Sequence, residues 1–387
     1  ALDDFSQVGF RAADPLTLVV TLERPTPRFL HYAASGPWIP VHLPTVLRHG
    51  RQWTKPGNFV GNGPFTLVAW RPHQRIVVKK NPRYHAAAAV RLAAVQFVSF
   101  SSGDTEERAY RSGQVDVTMA VPYTKLPVYA RERPAELHRV PLAETRYLAF
   151  NLARPPLDDL RVRRALSLAI NREELVSRIL GGGQTPAWRL LPPSLRAPGD
   201  DAVRPGNFLR EDADAARRLL AEAGFPGGRG FPRLELSTWV DSPLVEAIQA
   251  MWKKQLGIEV GIAAVEARVH LARLHEARYD IAFINTIPDV LDPADLLRDF
   301  VTGAADNHPH WADAHYDTLL FDAARTADPA AQAAKLREAE NRLLARCPLT
   351  PLYFNARNAL INPRVRGWQH DPLWNRFYLN LETVDTP

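Results

Sequence analysis

The chain has 387 residues, 46% hydrophobic and 23% charged, a balance that excludes a disordered or fibrous chain and leaves room for two or three domains with substantial cores. Its 48 basic against 42 acidic residues give a net charge of +6, but the arginines are interleaved with acids, as in Arg161-Val162-Arg163-Arg164 ahead of Arg172-Glu173-Glu174, and no long basic run points to nucleic acid. A single cysteine, Cys347, excludes an intrachain disulfide and a Cys-rich metal centre, and no run approaches ~18 apolar residues, so no spanning helix is expected.

The first strand expected is Leu16 to Leu22, stopped by Glu23-Arg24-Pro25. Gly61-Asn62-Gly63-Pro64 precedes a hairpin of Phe65 to Trp70 and Arg75 to Lys79 around Arg71-Pro72-His73, followed by a strand from Ala94 to Phe100. A helix is expected from Thr105 to Ser112, ending near Gly113, then a return to β structure at Val115 to Thr118. Asp158 to Leu180 carries the clearest helical spacing, in Val162, Leu166, Ala169 and Ile170, with Asp158 and Asp159 at its start. Gly181-Gly182-Gly183 follows a helix instead of opening one, so it is a helix stop and not a phosphate loop. The stretch from Leu191 to Pro205 is Pro-rich and reads as a surface loop.

Asp212 to Ala223 is expected as a helix with Gly224 after it. From there strands and helices alternate: strand Arg233 to Thr238, helix Leu244 to Leu256, strand Ile258 to Val265, helix Arg268 to Glu276, strand Tyr279 to Asn285. Such alternation argues for an open α/β sheet. Helices follow at Asp292 to Phe300, Tyr316 to Ala324 and Pro329 to Arg346, and a short strand at Pro348 to Tyr353 precedes Ala359-Leu360-Ile361. The 33 prolines sit between these segments and imply many stiff connections.

No catalytic constellation emerges. His308-Pro309-His310 with His315 lies in a loop beside Asp306-Asn307, without the spacing of helix-borne ligands, and no Gly-x-Ser-x-Gly elbow occurs. Neither an enzyme nor a cofactor or metal is expected. The most informative acid is Asp289, just past the strand Tyr279 to Asn285. Ligands of open α/β sheets bind beyond the carboxyl ends of strands, so a carboxylate there can receive a cation, and Trp239 and Asp241 beyond Thr238 face the same crevice. The competing role for Asp289 or Asp292 is an N-cap of the next helix, which Asp292 fits better.

Several segments together resemble the oligopeptide- and dipeptide-binding family of extracytoplasmic solute receptors (family 5) that serve ABC importers. They are Gly61-Asn62-Gly63-Pro64-Phe65, Lys80-Asn81-Pro82-Arg83-Tyr84 and Tyr110-Arg111-Ser112-Gly113-Gln114-Val115-Asp116. The most specific is Asn151 through Arg172, with Pro155-Pro156-Leu157-Asp158-Asp159-Leu160-Arg161-Val162-Arg163-Arg164-Ala165-Leu166. Leu219 to Phe225, Trp252 to Ile258, Tyr279-Asp280-Ile281-Ala282 and Pro348 to Asn355 complete the order. The resemblance implies an α/β two-lobe clamshell of the periplasmic-binding-protein type (type II, cluster C). Lobe I would comprise 1–146 and 354–387, and lobe II 147–353, with crossings near Tyr147 to Asn151 and Tyr353 to Asn355.

It also implies a peptide or other small-molecule ligand held between the lobes, a membrane permease as partner and a periplasmic or extracytoplasmic location. Asp289 matches the acid that pairs with a peptide α-ammonium in that family. The ligand-contacting set expected is Asp289, Thr286, Asn151, Trp239, Asp241, Ala267 and Phe283. Three of these mark departures: Thr286 and Ala267 stand where peptide binders often carry tryptophan, and Phe283 where an arginine is common. Aromatic walls and a carboxylate-pairing cation are thus removed, and dipeptide or tripeptide specificity is not carried over.

The family also carries a long segment ahead of the part resembling Gly9 to Leu22, so an incomplete first lobe is expected. The chain begins Ala-Leu-Asp-Asp without an initiator methionine, as a mature, processed or truncated product would. Three alternatives stay open: a fragment, a lobe completed by another polypeptide, or a scaffold reused as a structural subunit of a larger complex without transport.

Overall fold

The computed structural model describes residues 8–23, 26, 29–197, 209–239 and 243–384. A hairpin of β1 (Phe10–Asp14) and β2 (Thr17–Val20) leads through α1 (Phe29–Ala33) and α2 (Leu43–His49) to an antiparallel meander of β3 (Phe65–Arg71), β4 (Arg75–Lys80) and β5 (Ala94–Val98). Next come α3 (Gly103–Arg111), α4 (Leu126–Glu132), β6 (Leu137–Phe150), α5 (Leu160–Leu168), and α6 (Arg172–Glu174), which continues as a π-helical turn over Leu175–Leu180. They are followed by β7 (Thr185–Pro186), α7 (Ala213–Glu222), β8 (Leu234–Thr238), α8 (Pro243–Leu256), β9 (Val260–Ala264), α9 (Ala267–His275) and β10 (Ile281–Thr286). The chain closes with α10 (Pro293–Leu297), α11 (Ala314–Arg325), α12 (Pro329–Arg346), β11 (Leu349–Leu360), and the small pair β12 (Val365–Arg366) and β13 (Glu382–Thr383).

A six-stranded sheet ordered β7-β11-β6-β10-β8-β9 forms the body. β8, β9 and β10 are parallel, as the strand-helix alternation requires, while β6 runs antiparallel to both β10 and β11. Successive side chains point to opposite faces. Leu148, Phe150, Ile281 and Phe283 meet α5, α7 and α8 around Trp252, whereas Tyr147, Ala149, Ala282 and Ile284 meet α10, α11 and α12 around Phe300 and Tyr316. Burial on both faces explains why β10 reads as a nearly unbroken apolar run.

β6 and β11 stay paired from Leu349 opposite Ala149 to Leu360 opposite Leu137, with irregularities at Pro351/Tyr353 and Phe354/Ala356. Their far ends leave the body and reach a separate cluster of Tyr110, Val121, Leu126 and Tyr129 around Leu360. The same two strands therefore serve two cores.

The structure corrects several expectations. The helix over Asp158 to Leu180 is interrupted after Leu168, because Asn171 turns the chain and caps a new helix through Glu174 N at 2.8 Å. Gly181 ends that helix at φ +63°, with its N–H on Val176 O. Gly182 packs so tightly that a Cβ would lie 2.6 Å from Tyr123 Cε1, a contact role consistent with a stop. Val115 to Thr118 forms only a bridge, Val117 to Ile361. Pro348 to Tyr353 and Ala359 to Ile361 belong to one long strand, and neither β1 nor the full length of β6 was expected.

Candidate functional site

The carboxyl ends of the parallel strands converge where β6 passes from one core to the other. Thr286 ends β10 opposite Thr145 of β6, and the chain continues into the loop that carries Asp289. That loop is held by Asp295, which is 3% exposed. The Asp295 carboxylate accepts from Asp289 N at 2.6 Å and Val290 N at 3.3 Å, and pairs with Arg298 at 2.9 Å. Tyr32 Oη of α1 donates to the same carboxylate at 3.3 Å, across more than 260 positions of sequence. Asp289 itself keeps its side chain 78% exposed, with one long contact of 3.3 Å to Arg298. Asp292 caps α10 through Ala294 N at 2.8 Å, so the loop offers one outward carboxylate and uses the other two acids to hold its shape.

On the opposite face of β10 stands an aromatic and charged group. Trp239, just past β8, stacks on Phe283 with ring centroids 5.7 Å apart and 19° between planes. The Arg146 guanidinium carbon lies 5.2 Å from the Trp239 centroid and 5.9 Å from that of Phe283, a cation over two ring faces. Arg146 Nε sits 2.7 Å from Glu144 Oε1, and Glu144 Oε2 accepts from Asn355 Nδ2 of β11 at 2.7 Å. Alternation on β6 puts Glu144 and Arg146 on one face, so a two-residue spacing in the strand produces the pair. Trp239 also contacts His270, whose Nδ1 lies 3.0 Å from Ser237 Oγ; burial holds the His270 imidazole below its usual range.

The expected residues separate into three groups. Trp239 and the exposed Asp289 lie around the carboxyl ends of β8 and β10, Phe283 is buried in the core beneath Trp239, and Ala267 is exposed at the first position of α9. Asp241 lies outside the described residues. Thr286 and Asn151 are corrected: both side chains are engaged inside the fold. Thr286 Oγ1 donates to Asp299 Oδ2 at 3.0 Å on the face away from Phe283. Asn151 Nδ2 donates to Ala277 O at 3.0 Å and Tyr279 O at 2.8 Å, and its Oδ1 accepts from Ala153 N at 3.1 Å. Asp299 is pushed up to about 6, chiefly by burial and against the Thr286 hydrogen bond.

Arg146, Glu144 and Asn355 were not among the expected site residues. The signal available was an acid and a base two apart in an otherwise apolar β6, since opposite charges facing one side of a covered strand require a local reason. Among the described residues no helix is long and apolar enough to cross a membrane, and no three His, Cys, Asp or Glu side chains gather as a metal site.

Comparison with known proteins places the chain in a family. Residues 2–308 match the family model for bacterial extracellular solute-binding proteins, family 5 (middle). The chain is 31% identical over 377 residues to the probable deoxycholate-binding periplasmic protein YgiS of Escherichia coli, covering 95% of this chain and 69% of that one. It is 30% identical to the periplasmic oligopeptide-binding protein OppA of Salmonella typhimurium, covering 98% of this chain and 71% of OppA. The structure of the Escherichia coli murein tripeptide binding protein MppA superposes with a TM-score of 0.83 at 27% identity, covering 98% of this chain and 75% of MppA. The fold is accordingly the α/β two-lobe fold of periplasmic binding proteins, and the chain belongs to the family 5 bacterial extracellular solute-binding proteins.

Proposed function

We propose that this chain is the ligand-binding receptor of an ABC importer, taking a peptide or peptide-like small molecule between lobe I (1–146 and 354–387) and lobe II (147–353) and presenting it to a membrane permease outside the cytoplasm. The observations that support the reading are an outward carboxylate, Asp289, in the loop after β10 and a partly exposed ring, Trp239 backed by the buried Phe283, just past β8, both at the carboxyl ends of the parallel strands. A carboxylate held at a fixed loop position suits a ligand ammonium, and a ring wall suits an apolar body. The named ligands of the relatives, oligopeptides and deoxycholate, span both chemistries.

Separate cores on a shared pair of strands suit hinge motion, because a few residues near Tyr147 and Tyr353 can absorb a rotation. The ligand then shifts the open-closed equilibrium by its differential affinity. We further propose that a polypeptide covers the β3-β4-β5 sheet. Val68, Trp70, Phe97 and Val98 of that sheet are each more than a third exposed, which is costly apolar surface for a lobe to leave wet.

Ligand binding raises apparent stability by mass action. A thermal-shift panel of di- to pentapeptides and deoxycholate is expected to raise the melting temperature for at least one probe. Asp289→Asn is expected to weaken a free-amine ligand about two- to tenfold, a modest loss because the carboxylate is solvent-screened. A folded chain that no probe stabilises contradicts the receptor reading, and unchanged affinity of the variant removes Asp289 from the site.

A further inference from the structure

We propose that Arg146 is a carboxylate-receiving residue of the cleft, so that the ligand carries a carboxylate; this rests on the receptor reading given above. Arg146 lies in an apolar strand with its side chain 19% exposed. A guanidinium so covered is costly unless its donors are matched. It has five N–H donors on separate edges, and here its inner edge forms an ion pair with Glu144, Nε lying 2.7 Å from Oε1 without the alignment of a hydrogen bond. Among the described residues no acceptor meets Nη1 or Nη2. The Nε atom is fully covered.

The surroundings fix the plane of the group. Trp239 and Phe283 lie under the guanidinium at 5.2 and 5.9 Å, and Asn355 steadies Glu144 at 2.7 Å. Glu144 offsets the positive charge while the cleft is empty, which makes the arginine tolerable without a ligand. The remaining outer edge presents parallel N–H groups, the arrangement that accepts a carboxylate bidentately. The ring plate excludes water from one side, so the contact discriminates more sharply than a surface pair would. Arg146 thus supplies from β6 a cation that Phe283 does not supply from β10. The carboxylate could be the α-carboxylate of a peptide or that of an apolar organic acid.

The test uses two matched pairs of probes: trialanine and its C-terminal amide, and deoxycholate and its neutral amide. Calorimetric titration of the full chain is expected to show the acid favoured over the amide by about 10- to 100-fold in at least one pair, the range of a charge-assisted hydrogen bond. Preference in the tripeptide pair assigns a peptide terminus, and preference in the deoxycholate pair a free organic acid. Arg146→Gln alone leaves Glu144 buried and unpaired, so Arg146→Gln with Glu144→Gln is the informative variant, with circular dichroism to verify its fold. Its acid-to-amide ratio is expected to fall to near one, while Arg146→Lys, which keeps the charge and loses the fork, retains part of the preference. Equal binding of acid and amide by the unaltered chain, or a preference that survives the double substitution, overturns the proposal and leaves the receptor reading standing. Failure of all four probes to bind the folded chain overturns the proposal, and the receptor reading falls with it only when the wider panel of di- to pentapeptides also fails.

Discussion

The six-stranded body and the β3-β4-β5 meander are built from similar strands and end in different environments. In the body, five of the six residues of β10 are buried, and helices cover both faces. In the meander no residue of β3, β4 or β5 is buried, although Phe65, Leu67 and Ala69 alternate on β3 as a core-facing strand would and Ile76, Val77 and Val78 form an apolar run on β4. Apolar pattern alone therefore marks a surface that wants cover, and tertiary neighbours decide whether cover is present. The proposed site lies on the well-covered side of this divide, where rotamers are held by packing.

The comparison is most easily broken by truncating one tryptophan in each region. Trp252 is fully buried on α8 and donates from Nε1 to Leu166 O at 2.8 Å, whereas Trp70 on β3 is 41% exposed. Trp252→Ala is expected to cost about 3–5 kcal/mol of unfolding free energy, and Trp70→Ala under about 1 kcal/mol. Denaturant unfolding of both variants checks this; equal costs would mean that the meander is as well packed as the body.

A smaller effect sharpens the account of the body. Burial raises Asp299 to about 6, above the unfolded carboxyl value of ~3.9. The folded state then binds more protons than the unfolded state between these values, and stability is lost as pH rises through that window. Asp299→Asn removes the penalty while its amide oxygen can still accept from Thr286. The variant is expected to match the parent near pH 4 and to exceed it by about 1–2 kcal/mol at pH 7. Thermal melts at both pH values decide it, and a constant difference would show that Asp299 is not desolvated.

The smallest expected effect concerns the contact between α1 and the Asp289 loop of the body. Tyr32→Phe removes the 3.3 Å donation to Asp295 and is expected to cost at most about 1 kcal/mol. Faster amide exchange at Asp289 and Val290, whose N–H groups share the Asp295 carboxylate, would tie this contact to the site loop. Unchanged exchange would confine its influence to α1.

Much of this architecture was legible in the sequence. The strand-helix alternation from Arg233 to Asn285, the helix from Asp212, the cap at Asp292 and the helix Pro329–Arg346 follow from local rules, and the structure bears them out. β6 was not legible as one strand, because Pro141, Glu144 and Arg146 interrupt its apolar pattern. Only pairing with β11 and β10 makes it continuous. The helix break at Asn171 was hidden because Leu166, Ala169, Ile170 and Leu175 keep helical spacing across it. At the proposed site, Trp239 and Asp289 could be read from strand ends, whereas Phe283 was named only through the family resemblance. Asn151 and Thr286 look equally available in sequence, and only the fold reveals that Ala277, Tyr279 and Asp299 occupy their polar atoms.

The most direct test of the central claim is native mass spectrometry of the folded chain incubated with tri- to pentapeptides and deoxycholate. The account predicts one added mass at one-to-one stoichiometry, lost when the chain is unfolded and diminished for Arg146→Gln with Glu144→Gln. A folded chain that stays at its bare mass with every probe would contradict it.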